Sequence, residues 1–183
     1  VYPSEAALIA ARTRYEAGMA RLEAALPKVL EQPEQVLRLA WENFHLAYQG
    51  GDDRALQTRY AAILRRCLER AVPDWCAPIA RRQRAPDQRI RIGLWSSFFR
   101  DCTAGKYFKS WALDLDRSRF EVFVYYASYV DDSLSQEVRA RVEHYRRIVG
   151  PAPLHAEAIL QDRLDILLYP EIGMDVAGYL LAN

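Results

Sequence analysis

The sequence is poor in the residues that build disulfide frameworks and metal clusters. Its three cysteines, Cys67, Cys76 and Cys102, are scattered through 183 residues. An odd number without tight spacing points to neither a disulfide framework nor a zinc site, and it suits a reducing compartment. The three histidines, His45, His144 and His155, are not paired at metal-ligand spacing, so no metal is expected. Charge of one sign is also lacking, with 25 basic residues against 24 acidic ones and a net charge of +1. A nucleic-acid partner is therefore not expected, because such binders carry a basic excess on one face. No apolar run nears the roughly 20 residues that a membrane-spanning helix needs. The N-terminus has no basic segment followed by an apolar one, so no signal peptide is visible. These absences lead us to expect a soluble, cytoplasmic protein with no membrane partner. Val1 reads as the start of an excised segment.

Apolar residues make up 51% of the chain, enough for a real core. The front of the chain reads as helical. Ser4 is placed to cap a helix from Glu5, with Leu8, Tyr15, Met19, Leu22 and Leu26 on one face. Pro27 and Pro33 bracket an expected break. A second helix is expected after Pro33, with a stripe of Leu37, Trp41, Phe44 and Tyr48, stopped by Gly50 and Gly51. Asp52 or Asp53 then caps a third, whose buried face carries Leu56, Tyr60, Ile63, Cys67 and Leu68. The last two form an antiparallel hairpin across the Gly-Gly-Asp-Asp turn. Residues 1–70 thus read as a helical region, either the tail of a repeat array or linker helices. Residues 71–88, with Pro73, Pro78 and Pro86 and the basic Arg81, Arg82 and Arg84, read as a connector.

From Arg89 the pattern alternates strands and helices. Strands are expected over Arg89–Trp95, Phe120–Ala127, Arg147–Val149 and Asp165–Tyr169. Helices are expected from Thr103, from Asp132 or Ser133, over Leu154–Asp162, and from Asp175 to the end at Asn183. The second of these should bury Leu134, Val138, Val142 and Tyr145. Such alternation implies an α/β fold in which residues 89–183 form a Rossmann-like lobe with a parallel sheet covered on both faces. Ligands on such sheets bind beyond the carboxyl ends of the strands, at the topological switch point. Three loops are therefore of interest: Ser96–Lys106, Ser128–Asp132 and Tyr169–Asp175.

The first loop enters a helix, whose N-terminus favours anions. Thr103, Gly105 and Lys106 superficially suggest a phosphate loop. The full pattern needs a glycine where Arg100 stands and a hydroxyl where Tyr107 stands, so a phosphate loop is excluded. The dinucleotide fingerprint is absent too, since Gly93 stands alone in its strand. Cys102 stands at the start of a helix, where a cysteine nucleophile is one reading; the alternative is a small residue at a helix start. In the third loop Glu171 can accept a proton or bind a hydroxyl, and Gly173 allows a close backbone approach. The alternative there is a plain turn with Asp175 as its cap.

Four segments together resemble glycosyltransferase family 41, the family of O-GlcNAc transferase and the bacterial SPINDLY-type proteins. Asn43–Gly50 (NFHLAYQG) followed by Asp52–Leu56 (DDRAL) resembles the helical linker of the bacterial members. Arg89–Ser97 (RIRIGLWSS) resembles the first catalytic strand, and Arg119–Tyr125 (RFEVFVY) the second. Asp162–Asp175 (DRLDILLYPEIGMD) resembles a later strand and its loop. The matches run in order over nearly the whole chain.

The resemblance implies the first lobe of a GT-B fold, incomplete at Asn183. It also implies inverting transfer of GlcNAc or a related sugar from a UDP-sugar to Ser or Thr of a protein acceptor. The donor it implies is UDP-GlcNAc or UDP-glucose, with neither a metal nor another cofactor expected. The donor nucleotide is held mainly by a second lobe, so this fragment alone is expected to be inactive. Family members carry a histidine, proposed as base or active-site contact, in the segment matching Arg100–Thr103. Alignment places Cys102 there, with Asp101 beside it, which makes these two the catalytic candidates. Ser97, Thr103, Lys106, Glu171, Gly173 and Met174 are the substrate-binding candidates. Two other readings stay open: a protein-binding module with a degenerate active site, and an N-glucosyltransferase of the same family.

Overall fold

The computed structural model describes residues 2–80 and 82–182; Arg81 of the connector and the terminal Val1 and Asn183 lie outside the described residues. The chain divides into two units, which meet in sequence at Ala77 and Pro78. That division falls inside the stretch read as a connector.

The first unit is helical. Helix α1 spans Glu5–Val29, and the Ser4 side chain accepts a hydrogen bond from the Ala7 N–H at its start. It runs through Pro27 and ends at Val29, so the break expected between Pro27 and Pro33 falls at residues 30–32. Pro27 cannot donate to the Glu23 carbonyl, but the helical bonding resumes beyond it, with Leu30 N–H donating to the Leu26 carbonyl at 3.0 Å. Helix α2, Pro33–Leu39, is shorter than expected. The chain leaves the helix at Ala40 and resumes as a 3-10 turn over Phe44–Gln49. Tertiary bonds explain the interruption. The Tyr60 hydroxyl accepts from the Trp41 N–H at 2.9 Å and donates to the Trp41 carbonyl at 2.7 Å. Asn43, almost fully buried, accepts from the Tyr15 hydroxyl at 2.8 Å. These partners replace the helical ladder that the periodicity of Leu37, Trp41, Phe44 and Tyr48 suggests.

Helix α3, Arg54–Ala71, carries the core of this unit on Leu56, Tyr60, Ile63, Leu64, Cys67 and Leu68. Asp52 Oδ1 accepts the Arg54 N–H, whereas Asp53 pairs with Arg12 at 2.6 Å. A short turn of helix, α4, follows at Pro73–Cys76.

The second unit is a parallel four-stranded sheet in the order β3-β2-β1-β4. Its elements are β1 (Ile90–Ser96), α5 (Thr103–Leu113), β2 (Phe120–Tyr126), α6 (Ser133–Arg141), β3 (His144–Arg147), α7 (Ala152–Asp162), β4 (Ile166–Leu168) and α8 (Val176–Ala182). Both faces are covered. On one, Ile92, Leu94, Val122, Val124 and Tyr126 meet α5 and α6 through Ala112, Leu134 and Val138. On the other, Trp95, Phe123 and Tyr125 meet α7 and α8 through Ala158, Ile159, Ala177 and Leu181. Two-sided burial is what makes the strands read as nearly continuous apolar runs.

Helix α6 ends earlier than its apolar pattern suggests. Val142 turns extended, and Tyr145 belongs to β3 rather than to the helix face. Strand β3 correspondingly begins at His144, ahead of the expected Arg147–Val149. Pairing with β2 decides this, setting Phe123 opposite His144 and Tyr126 opposite Arg147. Glu143 supports the junction by accepting the Val122 N–H and pairing with Arg89.

Two polar groups are satisfied deep in the α7–α8 face. The Trp95 indole N–H donates to His155 Nδ1 at 3.1 Å, and His155 Nε2 faces the Gly150 carbonyl at 3.2 Å. Those partners require a neutral ring with its proton on Nε2, and burial pushes the ring below its ordinary pKa. His155 is thus committed to packing. Asp162, 8% exposed, accepts the Tyr125 hydroxyl at 2.6 Å and the Arg146 guanidinium at 2.8 and 2.5 Å. Burial raises the Asp162 carboxyl, but its bonds to Arg146 and Tyr125 together outweigh this and leave it below the usual range. Its contribution to stability is therefore present above the ordinary value near 3.8 and lost as the pH falls through the folded value. Asp162→Asn keeps an acceptor for Tyr125 but loses the ion pair, whose arginine is half exposed. It should cost about 1.5 kcal/mol at neutral pH, read from denaturant unfolding, and the loss should shrink at low pH. A loss that persists unchanged at low pH would exclude the ion pair as its cause.

Candidate functional site

The order β3-β2-β1-β4 reverses direction between β1 and β4. The loops leaving these two strands therefore diverge and open a crevice at their carboxyl ends. Both expected loops, after Ser96 and after Leu168, arise on this one rim.

The β1–α5 loop is tightly built. The Ser96 hydroxyl accepts the Phe98 N–H at 2.9 Å, and Phe99 is fully buried in the α5–α6 core. Successive short turns then bring Arg100 N–H to the Phe98 carbonyl and Cys102 N–H to the Arg100 carbonyl. Cys102 is the N-cap of α5. Its Sγ accepts the Gly105 N–H at 3.5 Å, and its thiol donates to the Phe98 carbonyl at 3.6 Å. Gly105 packs directly on the loop, and a Cβ there would strike the carbonyl oxygens of Phe98 and Arg100.

The β4–α8 loop turns on Gly173, whose φ of +101° is a conformation that side chains disfavour. Met174, half-buried, contributes a backbone bond, its N–H donating to the Glu171 carbonyl at 3.0 Å. Asp175 caps α8 through Oδ1, which accepts the N–H groups of Ala177 and Gly178 at 2.8 and 3.3 Å.

The two loops meet at Ser97. Its N–H donates to Glu171 Oε1 at 3.1 Å, and its hydroxyl donates to Asp175 Oδ2 at 3.0 Å. Glu171 is 5% exposed, and burial, reinforced by the charge of Asp175, holds its carboxyl above the ordinary value. The structure thus brings together Ser97, Glu171, Gly173 and Met174 of the candidate residues, and adds Asp175.

The other candidates form a second group on the α5 side of the rim. Asp101 and Lys106 pair at 2.6 Å on the surface, and the carboxylate beside Lys106 raises its ammonium pKa. Thr103 is exposed in the first turn of α5. The Asp101 backbone N–H donates to Asp132 Oδ2 at 2.6 Å, and Asp132 also caps α6 by accepting the Ser135 N–H at 3.0 Å. The bond from Asp101 is the foremost of several that hold the Asp132 carboxyl below the usual range.

Sequence reasoning missed two roles. Asp175 was legible as a cap, but its second oxygen reaches a residue 78 positions away. Asp132 was legible as a cap of α6, and its link to Asp101 spans 31 positions. A capping aspartate binds helix N–H groups through one oxygen, so its other oxygen is the only available signal for either link.

Among the described residues no cluster of three or more His, Cys, Asp or Glu is arranged to hold a metal ion. None of their helices is long and apolar enough to cross a membrane. A groove of about 460 Å³ lies along α7 and β4, lined by Ile79, Arg82, Leu160, Arg163 and Asp165 among others. It opens at the start of β4, away from the Ser97 junction, and two of its charged residues, Arg82 and Asp165, are already paired with each other.

No protein-family model matches the chain, and no curated protein matches it. Solved structures do. One is a mutant O-GlcNAc transferase from Thermobaculum terrenum, at a TM-score of 0.54 and 22% identity. The match covers 84% of this chain and 29% of that one, so the chain spans less than a third of the length of its structural neighbour. At this identity the likeness shows the fold. The chain is α/β, with helices ahead of a Rossmann-like lobe that has a four-stranded parallel sheet.

Proposed function

We propose that this chain is the helical linker and first catalytic lobe of an inverting protein O-glycosyltransferase. The reaction moves GlcNAc or a related sugar from a UDP-sugar to a Ser or Thr hydroxyl of a protein acceptor. The observation that carries this reading is the Ser97 junction, where the β1 and β4 loops are locked together at the mouth of the switch-point crevice. The structural neighbour, an O-GlcNAc transferase, supports the same reading.

The chemistry needs three things: a place for the sugar nucleotide, a proton acceptor for the attacking hydroxyl, and stabilisation of the departing diphosphate. Ser97 and the Gly173 turn frame the crevice. Asp101 is an exposed carboxylate and serves as the candidate proton acceptor. Lys106 and the N-terminal end of α5 supply positive potential. Cys102 shapes this segment, because its thiol is engaged by Gly105 and Phe98.

Calorimetry with UDP, followed by transfer to an acceptor peptide, tests the proposal in the full-length protein that carries this chain. UDP binding is expected, and Ser97→Ala, which frees the β1 loop from Asp175, is expected to lower turnover about tenfold by misplacing the site. Unchanged turnover in Ser97→Ala would remove the junction from the site. Acceptor-peptide binding without UDP binding would instead favour a non-catalytic docking module, a reading that the engaged thiol of Cys102 also fits. Mass spectrometry of the product separates hydroxyl transfer from glucosylation of asparagine.

A further inference from the structure

We infer that Glu171 is kept as a neutral carboxylic acid, and that in this form it positions the β1–α5 loop across the switch point. The inference stands on the geometry around Ser97 and holds whether or not the chain serves glycosyl transfer.

Ser97 is gripped by two carboxyl groups whose surroundings differ. Asp175 collects three donors: the Ser97 hydroxyl and the N–H groups of Ala177 and Gly178. Glu171 receives the Ser97 N–H on Oε1, with the Ser96 hydroxyl beside it, while its Oε2 is buried without a hydrogen-bond partner among the described residues. A carboxylate offers about four acceptor sites. The donors present leave part of that capacity unfilled, and burial of the charge outweighs them.

The groups that face Glu171 favour the same outcome. From its own loop Asp175 adds like-charge repulsion. From β1 and the loop beyond it come only dipoles, the Ser96 hydroxyl and the Ser97 amide. From α7 the titratable group is His155, which interacts with Asp175 and is itself held neutral by burial. Of the two carboxyls at Ser97, Glu171 is the one whose burial favours the protonated form. The neutral form keeps Oε1 as a carbonyl acceptor for Ser97 and places the proton on Oε2. The β4 loop then holds the β1 loop without a buried unpaired charge.

The sign of the pH effect follows. A carboxyl whose folded pKa lies above its ordinary value of 4.5 contributes stability below that value and loses it as the pH rises through the folded pKa. Glu171→Gln copies the neutral acid and does not titrate. Comparing its Tm with that of the unaltered protein from about pH 4 to about pH 8 subtracts every other titration. The two should agree at the acid end, and the Gln variant should be the more stable by about 3–5 °C at the alkaline end. A Gln variant that falls progressively below the unaltered protein as the pH rises would overturn the inference, because the charged form would then be the stabilising one.

A second measurement reads position rather than stability. Amide exchange at Ser97 should quicken at least tenfold in Glu171→Ala, which removes the acceptor, and stay slow in Glu171→Gln. Equal protection in all three proteins would show that Glu171 does not hold the loop.

Discussion

Gly105→Ala is expected to destabilise the lobe by about 3 kcal/mol, the upper part of the range for forcing an extra methyl into a packed site. Helix propensity alone gives the opposite sign, since alanine inside a helix is favoured over glycine by about 1 kcal/mol. The local geometry decides. The added Cβ meets the carbonyl oxygens of Phe98 and Arg100, and backbone cannot swing aside as a side-chain tip can. Those same carbonyls accept the bonds that shape the loop, from Arg100 N–H, the Cys102 thiol and Cys102 N–H. Shifting them loosens the cap of α5 and the burial of Phe99. The expected result is a lower denaturation midpoint together with faster reaction of Cys102 with a thiol reagent. An unchanged midpoint with unchanged thiol reactivity would show that the loop relaxes without cost.

Gly93→Ala is expected to cost about 2–3 kcal/mol. Gly93 lies in the middle of β1, opposite Phe123 on one side and Leu167 on the other, so its backbone is fixed by neighbours on both edges. A Cβ there would overlap Leu164 Cδ1, with Tyr125 Cε2 at 3.1 Å and Leu167 Cδ1 at 3.2 Å. The Leu164 contact is the far end of a side chain, which allows a direct test. Leu164→Ala alone should cost about 2 kcal/mol, at the low end for leucine because the residue is only half-buried. The double variant should cost less than the sum of the two, by at least about 0.5 kcal/mol, because the new methyl fills the space that the leucine leaves. Strict additivity in denaturant unfolding would place the strain on Tyr125 and Leu167 instead.

Much of the fold was legible in the sequence where burial is two-sided and local. Strands β1 and β2 are runs of apolar residues that the sheet covers on both faces, and both start within a residue of expectation. The α/β order and the two rim loops followed from that alternation. Errors gathered where partners distant in sequence outrank local pattern. The stripe through Trp41 and Phe44 suggested one long helix, but Tyr60 captures both polar groups of the Trp41 backbone. The apolar spacing of Val142 and Tyr145 suited a helix, but pairing with β2 draws Tyr145 into a strand. The break bracketed by Pro27 and Pro33, by contrast, lies where it was expected, at residues 30–32. In the site, each loop was visible by itself. The grip of Glu171 and Asp175 on Ser97 was not, because it depends on β4 lying next to β1 rather than beyond β3.

Asp132 carries a consequence for how the rim can move. One oxygen accepts the Ser135 N–H at the start of α6, and the other accepts the Asp101 N–H. The segment bearing Asp101 is therefore hinged to the helix after the second strand through a single carboxylate. Any occupant of the crevice that pulls Asp101 outward has first to break its N–H bond to the carboxylate that also seats that helix end.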